Sequence, residues 1–209
     1  MNRNRLNLIR QLEAWDIQNP TLLSTISHID RTPYLPSDQH HLADLDVFTP
    51  LSNGYYMTPV HFTAKLLNPV SFVDIHSVLC VGCGSGYELA LLAELCTNLW
   101  VAEPSSSNID AIKPLLIHHK QMMRWLELDA YQHSVDAPKF DMIWCNGALP
   151  KCPDHLLEQL HDHGVLLAMM GTNGPHKATA YQKNGQHTVV FEAQFPHYPH
   201  LSNEHVFAF

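Results

Sequence analysis

Basic residues are scarce in this chain. Of 209 residues, 12 are Lys or Arg against 20 Asp or Glu, a formal charge of −8 with histidine neutral. A nucleic-acid surface needs clustered cations to displace counterions, and the spaced Arg3, Arg5 and Arg10 come nearest to a cluster. The balance therefore excludes nucleic acid as a leading partner. Long apolar runs are also missing: none approaches the roughly 20 residues that cross a bilayer. The opening MNRNRLNLIRQLEAW lacks the apolar centre and cleavage site of a signal peptide. No membrane partner is expected, and the expected location is cytoplasmic. Cysteines number only five, too few and odd for a secreted disulfide framework, which suits a reducing compartment. Charged residues make up 15% and hydrophobic ones 45%, a balance that rules out a disordered chain and supplies a sizeable core.

What is plentiful is histidine, at 16 residues. Protonating half of them near their ordinary pKa adds roughly 8 positive charges and cancels the net negative charge. The pI of about 6.0 agrees.

Leu8, Ile9, Leu12 and Trp15 recur at helical spacing, and Asn19-Pro20 supplies an N-cap and first-turn proline for a second helix. A long loop is expected from Arg31 to Met57. Thr58 and Pro59 are then expected to cap a short helix ending at Asn68-Pro69. From residue 77 on, short apolar runs alternate with helical stretches, with strands expected at 77–81, 99–102, 124–128, 140–145 and 165–170. Such strands imply a parallel sheet covered on both faces. Asn184-Gly185 signals a type I′ hairpin, so the sheet should end in antiparallel strands. The fold class is therefore α/β: a doubly wound, Rossmann-like sheet, mostly parallel, with an antiparallel C-terminal hairpin and a helical N-terminal extension. Residues 1–70 read as a helical cap and loop, and 71–209 as one compact ligand-binding domain.

The sharpest motif is VLCVGCGSGYELALLAEL, Val78 to Leu95. An apolar strand runs into Gly82-x-Gly84-x-Gly86 and then a helix, a layout that brings a ligand close to main chain and helix N–H groups. The dinucleotide fingerprint would place a third glycine where Tyr87 stands, which weakens a nicotinamide or flavin reading. About twenty residues on, Glu103 ends the second strand, where a carboxylate can accept from both hydroxyls of a ribose. Asp129, after the third strand, suits the exocyclic amine of adenine.

These stretches, with FDMIWCNGALPKCPDHLLEQLHDHGVLLAMMG and RTPYLP, resemble the class I S-adenosylmethionine-dependent methyltransferases, and within them the protein-L-isoaspartate O-methyltransferases. The resemblance implies S-adenosylmethionine as cofactor. It would be held by Gly82, Gly84, Ser85 and Gly86 at the methionyl part, Tyr87 over it, Glu103 at the ribose, Asp129 with Ala130 at the adenine, and Asn146 beside the sulfonium. Asn53, Tyr55, Tyr56 and Thr58 would wall the acceptor side, the acceptor being a protein or peptide carboxylate. Two positions depart from the family pattern: Cys80 replaces an acid two residues before the first glycine, and Met57 replaces the family's catalytic serine. Isoaspartyl repair is accordingly expected to be slow or absent, and the alternative is a catalytically silent member of the fold with a binding or scaffold role. Asn146-Gly147-Ala148-Leu149 lacks the Asn-Pro-Pro-aromatic pattern that grips a flipped base. Cys80-x-x-Cys83 reads as two structural thiols, and His118-His119, His161-x-His163, His197 and His200 as solvated surface groups, so no metal is expected.

Overall fold

The computed structural model describes residues 3–51, 54–119, 123–126 and 138–196. Two helices lead, α1 (Arg3–Ala14) and α2 (Pro20–His28), and Asn19 caps α2 by accepting from Leu22 N–H at 3.1 Å. Leu8, Leu12, Leu22 and Ile26 are their buried stripe. The expected loop carries more structure than its sequence announces. It holds two 3₁₀ turns (Thr32–Tyr34 and Ser37–Leu42) and a small antiparallel ladder of β1 (Thr49–Pro50) with β2 (Tyr56–Met57).

Helix α3 (Val60–Leu67) follows, and Thr58 does not cap it. Pro59 occupies the cap position without a side-chain hydrogen bond, and Asp46 from the preceding loop accepts instead from His61 N–H at 3.2 Å and pairs with His61 Nδ1 at 2.7 Å. A carboxylate at a helix start suits the positive end of the dipole whichever part of the chain supplies it.

The remaining elements are β3 (Ser77–Val81), α4 (Tyr87–Leu95), β4 (Asn98–Ala102), α5 (Ser106–Ile112), β5 (Met123–Leu126), β6 (Phe140–Leu149), α6 (Asp154–Glu158), β7 (Leu160–Met170), β8 (His176–Gln182) and β9 (His187–Ala193). The strand order is β5-β4-β3-β6-β7-β8-β9; the first five are parallel, and β8 and β9 are antiparallel to their neighbours. The expected α/β sheet with an antiparallel C-terminal hairpin is present. Helix α3 lies over β8 and β9, where Phe62 stacks on Phe191 at 5.5 Å between ring centroids.

Three local expectations fail. The hairpin turn is not type I′, which needs positive φ at both central residues. Asn184 is not among the positive-φ residues, Gly185 has φ +82°, Gly185 N–H donates to Gln182 carbonyl at 2.9 Å and Gln182 N–H to Gln186 carbonyl at 2.8 Å. That is a type I turn closed by a left-handed glycine. Strand β7 begins at Leu160 and not at 165, so His161-x-His163-Gly164 is a bulged strand entry; a Cβ on Gly164 would sit 2.8 Å from the Phe140 carbonyl. Strand β6 runs on past Cys145 to Leu149, with a register shift between Trp144 and Ala148. Asn146 therefore lies within a bulge and not at a strand end.

Candidate functional site

In a doubly wound sheet the ligand crevice opens at the carboxyl ends of the strands, where the order reverses. Here the chain runs outward from β3 to β4 and β5, then returns to β6 on the other side of β3. The last paired residues of β3 and β6 are Val81 and Cys145, so Gly82 leaves the sheet beside Asn146, where β6 bulges before running on to Leu149.

The glycine loop has the backbone its sequence calls for. Gly82, Gly84 and Gly86 have φ of +81°, +53° and +87°, a left-handed region that costs other residues roughly 1–2 kcal/mol each. Gly82 N–H is tied to Ala102 carbonyl at 2.8 Å, which anchors the loop to β4. A Cβ on Gly84 would stand 2.3 Å from Asn146 Nδ2, and one on Gly86 would stand 2.9 Å from Ile112. Ser85 Oγ accepts from Tyr87 N–H at 3.2 Å and donates to Glu88 Oε2 at 3.3 Å, starting α4.

Glu103 is 3% exposed, so the strand end at which it stands is covered and not open to solvent. Its Oε2 accepts from Cys83 N–H at 2.8 Å, and its Oε1 accepts from Ser105 N–H at 3.0 Å and the Tyr55 hydroxyl at 3.2 Å. The carboxylate thus holds the glycine loop, the start of α5 and the β1–β2 hairpin at once. An ionised carboxylate offers about four acceptor positions, so one on Oε2 is left.

On the facing wall, Tyr55, Met57 and Thr58 are buried and Tyr56 half-buried. Thr58 and Asn146 line one cavity of about 10 Å³ with Phe62, Trp144 and Cys145, room for little more than a water. Arg31, buried beneath, fastens this wall: Nη1 donates to the Ala43 carbonyl at 3.0 Å and the Leu45 carbonyl at 3.2 Å, Nη2 donates to the Thr58 carbonyl at 3.0 Å, and the guanidinium lies 5.1 Å from the centre of the Tyr87 ring. Asn53, Asp129 and Ala130 lie outside the described residues, as do His197 and His200.

Two contributors escape a sequence reading: Arg31 and Glu88. Glu88 is buried in the first turn of α4, a helix whose other residues up to Ala93 are buried and uncharged. Burial pushes its carboxyl up from the usual range, although its own backbone N–H, Arg31, Ser85 and Asn146 favour the charged form. Of the two acids in YELALLAEL, Glu88 stands directly after the glycine loop, and that position was the available signal. Cys80 donates its thiol to the Gly82 carbonyl at 3.3 Å, and Cys83 accepts from Asn108 Nδ2 at 3.1 Å. Burial raises both thiols well above their ordinary values, so neither offers the thiolate that redox or metal chemistry uses. His161 and His163 are exposed. His119 departs from the solvated expectation: its Nε2 meets the Tyr34 hydroxyl at 3.0 Å, and its Nδ1 lies 3.5 Å from Glu94.

The family model of protein-L-isoaspartate(D-aspartate) O-methyltransferase (PCMT) matches residues 2–198. A protein-L-isoaspartate O-methyltransferase of Shewanella sp. (strain MR-4) is 30% identical over 174 residues, 79% of each chain. One of Pectobacterium carotovorum is 28% identical over 179 residues, 82% of this chain and 83% of the relative. Among solved structures, a Plasmodium falciparum chain described as a protein-L-isoaspartate O-methyltransferase, in complex with S-adenosyl-L-homocysteine, superposes with a TM-score of 0.76 at 18% identity, covering 93% of this chain and 97% of that one. At that identity the likeness is one of fold.

Proposed function

The chain belongs to the protein-L-isoaspartate(D-aspartate) O-methyltransferase family, and on that premise we propose that it transfers a methyl group from S-adenosylmethionine to a carboxylate of a protein or peptide. One observation carries the cofactor part. Three left-handed glycines lie at the switch point beside a buried carboxylate, with unpartnered buried Asn146 Nδ2 and Glu88 Oε1 next to the loop. A loop that would reject a Cβ and buried polar atoms without partners fit a ligand rich in donors and acceptors.

In this reading Gly82, Gly84, Ser85 and Gly86 hold the methionyl part, Tyr87 covers it, and Glu103 accepts from the ribose. Asn146 borders the sulfonium, and Asp129 with Ala130 take the adenine. The bound cofactor supplies an electrophilic methyl. The chain's own part is to hold an acceptor in line and keep water out, since a carboxylate is already ionised at neutral pH and needs no base. Tyr55, Tyr56, Thr58 and Asn53 form the acceptor wall, and residues 1–70 cap the site. Met57, 1% exposed, offers no hydroxyl where the family's serine would orient an isoaspartyl group, so isoaspartyl repair is slow or absent. The five free thiols suit a reducing cytoplasm.

The second reading, a silent relative with a binding role, draws on the same Met57 and on the Tyr55 hydroxyl already seated on Glu103. Calorimetry with S-adenosylhomocysteine, followed by methyl transfer to isoaspartyl and ordinary aspartyl peptides, separates the two. The first reading expects binding, weakened about ten- to hundred-fold by Glu103→Ala. Unchanged affinity in that variant places the ligand elsewhere. Binding without transfer to any protein acceptor favours the silent relative.

A further inference from the structure

We propose that Glu88 is the counter-charge for the α-ammonium group of the cofactor in this chain, standing in for the acid that Cys80 replaces. The inference rests on the cofactor reading above and goes beyond it by assigning a residue outside that binding set. Cys80 and Glu88 bracket the glycine loop, two residues before Gly82 and two after Gly86. The Cys80 thiol is a neutral donor turned onto the Gly82 carbonyl and offers a cation nothing. Glu88 is buried, with its Oε2 taken by Ser85 and its Oε1 without a partner. Beside it, Asn146 Nδ2 is also buried without a partner and presses towards Gly84. Glu88 Oε1 and Asn146 Nδ2 stand close without a well-formed hydrogen bond between them, an acceptor and a donor that match the two charges of an α-amino acid: ammonium on the carboxylate, carboxylate on the amide.

Arg31 eases the charge on Glu88 from a distance without filling the gap: three carbonyls take Nη1 and Nη2, its Nε is buried without a partner, and it forms no ion pair with Glu88. A buried carboxylate with one idle oxygen is costly to keep. A bound cation offsets that cost.

The competing role is structural, because Ser85-x-x-Glu88 has the spacing of a capping box. Calorimetry with S-adenosylhomocysteine and its deamino analogue, on the wild type and on Glu88→Gln, tells the two apart. The wild type should prefer the parent ligand about tenfold or more, and in Glu88→Gln that preference should fall to about twofold with the analogue's affinity unchanged. If Glu88→Gln weakens both ligands alike, or leaves the preference intact, the assignment is overturned. Should the variant fail to fold, the wild type alone still decides against it by binding parent and analogue equally. A wild type that binds neither ligand, nor S-adenosylmethionine itself, removes the cofactor reading and this inference with it.

Discussion

In the proposed reading the cofactor half and the acceptor half of the site face each other across Glu103, and they are built differently. The cofactor half is local: a strand, three glycines and a helix start within Val78 to Glu88, with backbone angles that few other residues adopt. The acceptor half is assembled from afar. The β1–β2 hairpin is held by Arg31 from below and by the Tyr55 hydroxyl on Glu103 from above, and its own ladder is two residues long. A short ladder holds little by itself. The half that depends on backbone geometry keeps three left-handed glycines, while the half that depends on particular side chains has the buried Met57 and Tyr55 at its wall.

The hardest blow to the cofactor half is Gly84→Ala. The new Cβ meets Asn146 Nδ2 at 2.3 Å on a left-handed backbone, so S-adenosylhomocysteine affinity should drop by about a hundredfold or more, a loss near 3 kcal/mol. Affinity within a few-fold of wild type, by calorimetry, would show that the loop is not the cradle.

In the acceptor half, Met57→Ser removes a fully buried side chain and should cost about 2–4 kcal/mol in denaturant unfolding. Because the wall around it stays closed, transfer to an isoaspartyl peptide should remain within about tenfold of wild type. A rise beyond a hundredfold would collapse the comparison to one missing hydroxyl.

Tyr55→Phe probes the seam. Freeing one acceptor position on Glu103 Oε1 should tighten S-adenosylhomocysteine about three- to tenfold, roughly 1 kcal/mol, if Tyr55 competes with the ribose. Weaker binding would make Tyr55 a ligand partner instead.

The smallest effect is a pH dependence. Burial raises the folded pKa of Glu88 above its unfolded value, so the folded state binds that proton more tightly and is favoured as pH falls. Above the folded pKa the charged group costs stability. The melting temperature of Glu88→Gln relative to wild type should therefore move in the variant's favour as pH rises from 5 to 8, by about 2–4 °C per kcal/mol. A difference independent of pH would mean that Glu88 binds its proton alike in the folded and unfolded chain, and that its burial stores no such cost.

The strand, loop and helix from Val78 to Leu95 and the order of apolar strands were legible because they follow from local physics: alternation of apolar runs, glycine where the backbone turns left-handed, a carboxylate after the second strand. Local reading stopped where partners come from elsewhere. Thr58 stands where a neighbouring side chain would ordinarily accept from the first N–H groups of α3, yet Asp46 accepts there from the loop before it. Asn184-Gly185 marked a hairpin correctly and its turn type wrongly, since the three-residue loop satisfies the same glycine with one left-handed residue fewer.

By itself the sequence determined the α/β order, the glycine loop and the identities of Glu103, Cys80 and Met57. Only the tertiary structure decided that Glu103 is buried under three donors, that Asn146 is swung by a bulge in β6 onto Gly84, that Arg31 pins the acceptor wall, and that Glu88 keeps an idle oxygen. The reason is physical. A backbone conformation is chosen by the residue that adopts it, whereas the burial and partners of a polar group are fixed by segments many residues away that meet it only when the sheet closes.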